Sequence, residues 1–123
     1  MAILLDSASL DDASAAAGLG FVRGITTNPA LMARETKDPL AHLARLLEAL
    51  PEGPVFYQPT RSDAGEMDAE ARAAVALAPE RVVAKLPATL EAVTLATQLR
   101  RDGVRCALTA VYSPCLLYTS PSP

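Results

Sequence analysis

The sequence predicts an α/β fold with a parallel sheet, and two features of the residue pattern support that class. Short apolar runs alternate with longer segments that are rich in alanine and leucine. Glycine, proline or aspartate residues mark the changes between the two kinds of segment. This alternation is typical of repeated strand–helix units whose strands run parallel. The length of 123 residues suits a single domain, because domains commonly have about 100–150 residues.

The first half of the chain is predicted to form two strands and three helices. Ser9 is a suitable N-cap for the first helix, because its hydroxyl can accept a bond from a first-turn amide. Pro29 stands where the first turn of the second helix tolerates it. Leucines three and four residues apart give the third helix one apolar face. The predicted order is strand Ala2–Leu5, helix Leu10–Ala17, strand Phe21–Thr26, helix Pro29–Arg34 and helix Pro39–Leu50.

The second half continues the alternation as far as residue 109. Its predicted order is strand Val55–Gln58, helix Ala64–Leu77, strand Arg81–Leu86, helix Leu90–Arg101 and strand Val104–Thr109. The pattern then stops, and the last ten residues contain three prolines. Residues 115–123 resemble translated sequencing-adapter DNA of the transposon type. We therefore expect a domain over residues 1–114 and a non-native tail over 115–123.

The composition argues against several classes of partner and site. A net charge of −3, 4% aromatic residues and no basic run are unlike a nucleic-acid binder. The opening apolar run ends at Asp6, and no stretch approaches the roughly 18 apolar residues of a membrane span, so we expect a soluble, cytoplasmic protein without membrane contact. Cys106 and Cys115 lack metal-ligand spacing and are too few for a disulfide framework. No glycine-rich phosphate loop or metal-ligand cluster is visible, so no metal or cofactor is expected.

Polar side chains stand at the carboxyl ends of all five predicted strands. Side chains two residues apart share a face of a strand. In each strand one such set begins small or apolar and ends in a polar residue, and these residues are Asp6, Asn28, Gln58, Lys85 and Thr109. Thr26 lies on the same face as Asn28. Because parallel α/β folds bind ligands beyond the carboxyl ends of their strands, these residues predict one shared site.

Lys85 is the residue of this set that points most directly to a reaction. The chain has nine arginines but only two lysines, and Lys85 lies within an apolar segment. Desolvation lowers the pKa of a lysine by up to about 3–5 units and makes its amine a nucleophile toward carbonyls. Arginine stays protonated and cannot take this role. The alternative is that Lys85 reaches solvent from the strand end and has no reactive role.

The other polar residues each have a structural alternative. Asp6 could transfer protons to and from a substrate hydroxyl, or could interact with a helix N-terminus. Asn28 is placed for an ordinary N-cap. Gln58 and Thr109 could hold a water or a substrate hydroxyl, although either could satisfy nearby backbone groups. His42 is predicted to lie on a helix surface without a catalytic role, and a solvated face with i,i+4 pairing is predicted for Glu66, Asp68, Glu70 and Arg72.

Three segments resemble the transaldolase family. Gly24–Met32 (GITTNPALM) is similar to the family signature around the second strand, and Val83–Thr89 (VAKLPAT) to the segment with its imine-forming lysine. Leu4–Ala8 (LLDSA) is similar to the opening strand with its acid/base aspartate. The resemblance covers about residues 1–114 and indicates the branch of small-subunit transaldolases and fructose-6-phosphate aldolases. It implies a (β/α)₈ TIM barrel, of which this chain would supply about the first five βα units, because a complete barrel has about 250 residues.

The resemblance also implies roles for the predicted site residues. Lys85 would form an imine with a ketose carbonyl, and Asp6 would transfer the proton that accompanies carbon–carbon cleavage. Asn28 and Thr26 would bind substrate, while Gln58 and Thr109 would hold the catalytic water. The family implies a sugar phosphate such as fructose 6-phosphate, no cofactor, a place in pentose phosphate metabolism, and a homo-oligomer.

Several hypotheses therefore stand side by side. The first is transfer of a dihydroxyacetone unit from a ketose phosphate. The resemblance implies direct aldol cleavage as a variant, because the aldolases of the family carry glutamine where its transaldolases carry glutamate, and this chain has Gln58. The second is an inactive partial barrel, because the family's sixth-strand aromatic residue and its phosphate-binding Arg and Ser have no counterpart here. A deoxyribose-phosphate type of aldolase also fits a strand lysine, but it does not account for Thr26–Pro29.

Overall fold

Five strands and five helices alternate in the computed structural model, which describes residues 3–109. Their order is β1 Ile3–Asp6, α1 Leu10–Leu19, β2 Val22–Thr26, α2 Pro29–Glu35, α3 Pro39–Ala49, β3 Val55–Tyr57, α4 Ala64–Leu77, β4 Val82–Pro87, α5 Leu90–Arg101 and β5 Cys106–Thr109. The bounds differ from the predicted ones by at most two residues. The predicted tail 115–123 lies outside the described residues, so the domain boundary stays a prediction.

The strands form one parallel sheet in the order β1-β2-β3-β4-β5. Each strand therefore lies beside the next one along the chain, as it does in consecutive units of a (β/α)₈ barrel. The predicted α/β class is confirmed, and the arrangement matches five units of a partial TIM barrel. No helix within residues 3–109 is long and apolar enough to cross a membrane.

Side-chain oxygens at the helix starts explain why the helices begin where they do. Ser9 accepts a hydrogen bond from the amide of Asp12, and Thr89 accepts one from the amide of Ala92. Each bond satisfies a first-turn amide that has no partner within its helix. Gly20 ends α1 with a φ of 79°, in the left-handed region that glycine adopts without strain.

The two faces of the sheet have different surroundings, as the period-two pattern predicted. Val55, Tyr57, Val82 and Ala84 are fully buried on the face that the helices cover. On the opposite face, side chains near the carboxyl ends of the strands are only half-buried, among them Gln58 and Lys85. The helix-covered face is thus the hydrophobic core, and the other face is left to the polar residues at the strand ends.

Strand β2 lies unusually close to the start of β3. The amide of Ile25 donates to the carbonyl of Pro54 at 2.9 Å. A Cβ atom on Gly24 would lie 2.4 Å from that same carbonyl oxygen, which is closer than side chains tolerate. Glycine at position 24 is therefore a packing requirement.

Arg81, just before β4, ties α3 to the loop that leads into β3. Its guanidinium donates to the carbonyls of Gly53 at 2.9 Å and Leu47 at 2.8 Å, and also to that of Leu50. Leu47 and Leu50 stand at the end of α3, where carbonyls lack partners within the helix. One side chain thus satisfies the helix end and fixes the entry into the next strand.

His42 is buried, so the prediction that it lies on the helix surface is wrong. Its side chain is 4% exposed, and Nε2 lies 2.6 Å from the carbonyl oxygen of Ala8. Helix α3 packs against α1, which places this imidazole against the loop between β1 and α1. A buried polar ring needs a partner, and the Ala8 carbonyl provides it.

Candidate active site

The polar residues predicted from the strand ends lie along the carboxyl edge of the sheet. Asp6 and Thr26 are the last residues of β1 and β2 and pair with each other in register. Gln58 follows the last residue of β3, and Lys85 lies within β4. Thr109 ends β5, where its backbone pairs with Pro87, and its side chain lies outside the described part of the structure. Consecutive strands therefore bring this set to one edge.

Lys85 reaches from β4 across β3 to the end of β2. Its Nζ donates to the hydroxyl of Thr26 at 3.1 Å and to the backbone carbonyl of Thr27 at 2.8 Å. The amine is half-buried on the face of the sheet away from the helices. In this conformation the Lys85 side chain contacts protein acceptors and does not simply extend into solvent.

The surroundings of Lys85 make its side chain easier to deprotonate than that of a solvated lysine. Burial lowers the pKa of Lys85 below its usual value, since the charged ammonium loses hydration, and the carboxylate of Asp6 opposes this shift more weakly. Asp6 is itself exposed at the open end of β1. The pair thus combines an amine that releases its proton more readily than usual with a solvated carboxylate nearby.

Asn28 is the N-cap of α2. Its Oδ1 accepts a hydrogen bond from the amide of Leu31 at 2.9 Å, so this oxygen has the ordinary N-cap role predicted as the alternative to substrate binding. The side-chain amino group is not needed for capping. A substrate contact by Asn28 would therefore use this NH₂ group as a donor.

Gln58 lies at the rim of a cleft between α4 and α5. The cleft has a volume of about 610 Å³ and is lined by Gln58, Pro59, Met67, Pro87 and Leu95, among others. Pro59, in the loop that follows β3, is buried. The Gln58 amide thus stands where this loop leaves the sheet, at the same edge as Lys85.

Two contacts of this region were not anticipated from the sequence. Thr27 is fully buried, and its hydroxyl donates to the carbonyl of Phe56 at 2.8 Å while its own carbonyl faces Lys85. Glu70 was expected on a solvated face, but its carboxylate accepts hydrogen bonds from Tyr57 and Thr60. Nothing in the spacing of these residues signals either contact, because both join elements that are distant along the chain.

Asp68 and Arg72 of the charge cluster on α4 form the expected i,i+4 pair. Arg72 donates to Asp68 at 3.0 Å across one helical turn, and also to Asp102 at 2.7 Å. Both bonds are on the protein surface, where such pairs contribute little stability. Among residues 3–109, no three His, Cys, Asp or Glu side chains lie together in a group that could hold a metal ion.

Comparison with known proteins gives one consistent result. The family model described as "Transaldolase/Fructose-6-phosphate aldolase" matches residues 3–118. A "Probable transaldolase" from Roseiflexus sp. (strain RS-1) is 37% identical over 113 residues, which cover 92% of this chain and 52% of that protein. Proteins of the same name from Syntrophobacter fumaroxidans and Pelodictyon phaeoclathratiforme are 35% and 38% identical, over 93% of this chain and 52% and 54% of their own lengths. The chain thus spans about half the length of the curated relatives it matches.

Proposed function

The chain belongs to the transaldolase/fructose-6-phosphate aldolase family, and from this premise we propose that it carries the imine-forming half of a class I aldol site. The substrate would be a ketose phosphate such as fructose 6-phosphate. The observation that carries the proposal is the half-buried Lys85 amine, held by two oxygen acceptors at the carboxyl edge of the sheet with a lowered pKa. Such an amine is a nucleophile at neutral pH more readily than a solvated lysine.

The proposed reaction begins with the neutral Lys85 amine adding to the C2 carbonyl of the ketose. Loss of water from the resulting carbinolamine gives the protonated imine. The C4 hydroxyl then gives its proton to Asp6, the C3–C4 bond breaks, and its electron pair passes into the imine to form an enamine. The aldehyde product leaves, and a three-carbon dihydroxyacetone unit remains on Lys85.

The fate of that unit separates the two related activities. In transfer, the enamine carbon attacks the carbonyl of an acceptor aldehyde, Asp6 returns its proton to the new hydroxyl, and water hydrolyses the imine to release the new ketose. In direct cleavage, the enamine carbon takes up a proton, and water hydrolyses the imine to release dihydroxyacetone. Gln58 and Thr109 would hold this water, and glutamine at position 58 favours direct cleavage as the second candidate activity. Asn28 and Thr26 would contact the substrate hydroxyls.

Other properties of the whole protein are proposed on the same basis. We expect a cytoplasmic enzyme of carbohydrate metabolism that assembles as a homo-oligomer and needs no cofactor. Since the chain spans about half of its relatives, contacts to the substrate phosphate are expected from residues beyond the part of the fold described above.

The chain's two lysines make the test of imine formation direct. The protein is incubated with fructose 6-phosphate and borohydride, and the reduced adduct is located by peptide mass spectrometry. We expect the adduct on Lys85, its loss in Lys85→Met and its retention in Lys37→Met, because Lys37 is exposed in the turn between α2 and α3 and does not belong to a strand. An adduct on Lys37 instead, or none on a folded protein, would refute the proposal and favour the hypothesis of an inactive barrel fragment.

A further inference from the structure

Glu70 on α4 is surrounded by hydrogen-bond donors from the end of β3 and the loop after it. The hydroxyl of Tyr57 donates to Oε2 at 2.5 Å, and the amide of Thr60 lies 2.9 Å from Oε2 and 3.0 Å from Oε1. The Thr60 hydroxyl lies 3.2 Å from both oxygens, and the amide of Arg61 donates to Oε1 at 3.2 Å. One carboxylate therefore collects four donor groups from three residues.

These donors lie on both sides of Gln58. Tyr57 comes directly before it, while Thr60 and Arg61 follow after one intervening proline. Pro59 has no backbone N–H, so the first amides available to fix the loop after Gln58 are those of Thr60 and Arg61. Both amides donate to Glu70, so the chain is held to α4 at the residue before Gln58 and again two residues after it.

Two properties strengthen this contact, the burial of Tyr57 and the charge of Glu70. Tyr57 is fully buried, and burial together with Glu70 raises the pKa of its phenol well above the usual value, so the hydroxyl remains a donor. Bonds to an ionised acceptor are shorter and stronger than neutral ones. Arg61 contributes its backbone to this contact. Helix α4 and strand β3 are thus joined at the point where the loop begins.

We propose that Glu70 is a positioning residue for Gln58: its carboxylate fixes the chain on both sides of the Gln58 amide and so holds that amide toward the edge where Lys85 lies. This inference rests on the proposed function, in which Gln58 holds the water that hydrolyses the imine. Glu70 itself does not touch the substrate. Its effect on the reaction passes entirely through Gln58.

A double-mutant cycle separates this role from a merely structural one. Glu70→Gln keeps the size of the side chain but removes the charge and one acceptor oxygen. We expect it to lower kcat for fructose 6-phosphate cleavage about tenfold when Gln58 is present and to have little further effect in a Gln58→Ala background, because interacting residues are not additive. A purely structural role would lower kcat by the same factor in both backgrounds.

Asp68→Asn is the matched control, since this carboxylate lies on the same helix and pairs only with surface Arg72 among the described contacts. We expect it to change kcat less than twofold. Hydrogen exchange of the peptide spanning residues 57–62 should accelerate in Glu70→Gln and stay unchanged in Asp68→Asn. If Glu70→Gln does not fold, Tyr57→Phe removes one donor with little change of packing and should lower kcat about threefold, again only when Gln58 is present.

The outcomes distinguish this inference from the proposed function. Equal losses in the two backgrounds, or an unchanged kcat in both Glu70→Gln and Tyr57→Phe, would overturn the positioning role while imine trapping on Lys85 still succeeds. If the wild-type protein traps no substrate on Lys85, the proposed function fails and the positioning role fails with it.

Discussion

Replacing Thr26 by valine tests how the environment of Lys85 sets its reactivity. The Lys85 amine has two acceptors among the described residues, the Thr26 hydroxyl at 3.1 Å and the Thr27 carbonyl at 2.8 Å. Valine is close to threonine in shape and removes only the first. In the wild type, the bond to Thr26 stabilises the charged ammonium more than the neutral amine, because the ammonium is the stronger donor. Thr26→Val should therefore lower the pKa of Lys85 further.

The size of the effect follows from the geometry of the bond. A hydrogen bond to a charged group contributes about 1.5–3 kcal/mol to stability. This bond is the longer of the two, and Lys85 is only half-buried, so water replaces part of it. We therefore expect a change of about 1.4 kcal/mol at most, which corresponds to about tenfold in the protonation equilibrium.

The assay measures imine formation as a function of pH. The protein is mixed with dihydroxyacetone and cyanoborohydride over a range of pH, and the Lys85 adduct is quantified by mass spectrometry. The midpoint of the acidic limb should move to lower pH in Thr26→Val. The midpoint is the readout rather than the absolute rate, because Thr26 is also a candidate substrate contact.

Thr94→Val provides the matched control. Thr94 is exposed on α5 and, within residues 3–109, its hydroxyl bonds only to the carbonyl of Leu90, one turn earlier, at 3.0 Å. Its replacement should leave the midpoint where it is in the wild type. A midpoint in Thr26→Val that is unchanged, or that moves to higher pH, would refute the argument that this hydroxyl favours the charged form of Lys85.

Two further predictions concern stability and are measured by urea unfolding followed by circular dichroism. Arg81→Met removes three hydrogen bonds to backbone carbonyls and should lower the free energy of unfolding by about 2 kcal/mol. Its control, Arg105→Met, removes one exposed bond to the carbonyl of Glu80 and should lower the free energy of unfolding by about 0.5 kcal/mol or less. Equal losses in the two variants would contradict the bridging role of Arg81. Gly24→Ala places a Cβ atom 2.4 Å from the carbonyl oxygen of Pro54 and should lower the free energy of unfolding by about 2 kcal/mol. In the control Gly18→Ala, the new Cβ atom meets no other atom within 4 Å, and the helix-favouring alanine should raise the free energy of unfolding by up to about 1 kcal/mol. A tolerated Gly24→Ala would show that β2 and β3 can separate at this point.

The helices and strands could be predicted closely because their signals are local. The leucine spacing of α3 and the caps at Ser9 and Asn28 are properties of a few neighbouring residues, and the structure keeps them. His42 was misplaced for the opposite reason. Its burial depends on α3 lying against the loop after β1, a contact between segments 34 residues apart.

The candidate site divides in the same way. Alternation along each strand was enough to bring Asp6, Thr26, Gln58 and Lys85 to one edge of a parallel sheet, because strands of one direction end on one side. The chemical types at these ends, above all a lysine in an apolar strand, were also visible. These features predicted where the candidate site lies and which reaction to propose for it.

Which side chains touch could not be predicted from the residue pattern, because the contacts join elements that are distant along the chain. The Lys85 amine meets the Thr26 hydroxyl across 59 positions of sequence, and Glu70 holds the backbone of Thr60 across ten. Such contacts depend on strand register, on how the helices cross the sheet and on the reach of each side chain. None of these properties leaves a periodic pattern in the sequence. The residue pattern was enough to predict the fold class and the edge where the polar residues gather. The packing of distant elements determined how Lys85 is desolvated and what fixes the loop beside it, because burial and hydrogen bonding arise only when those elements meet.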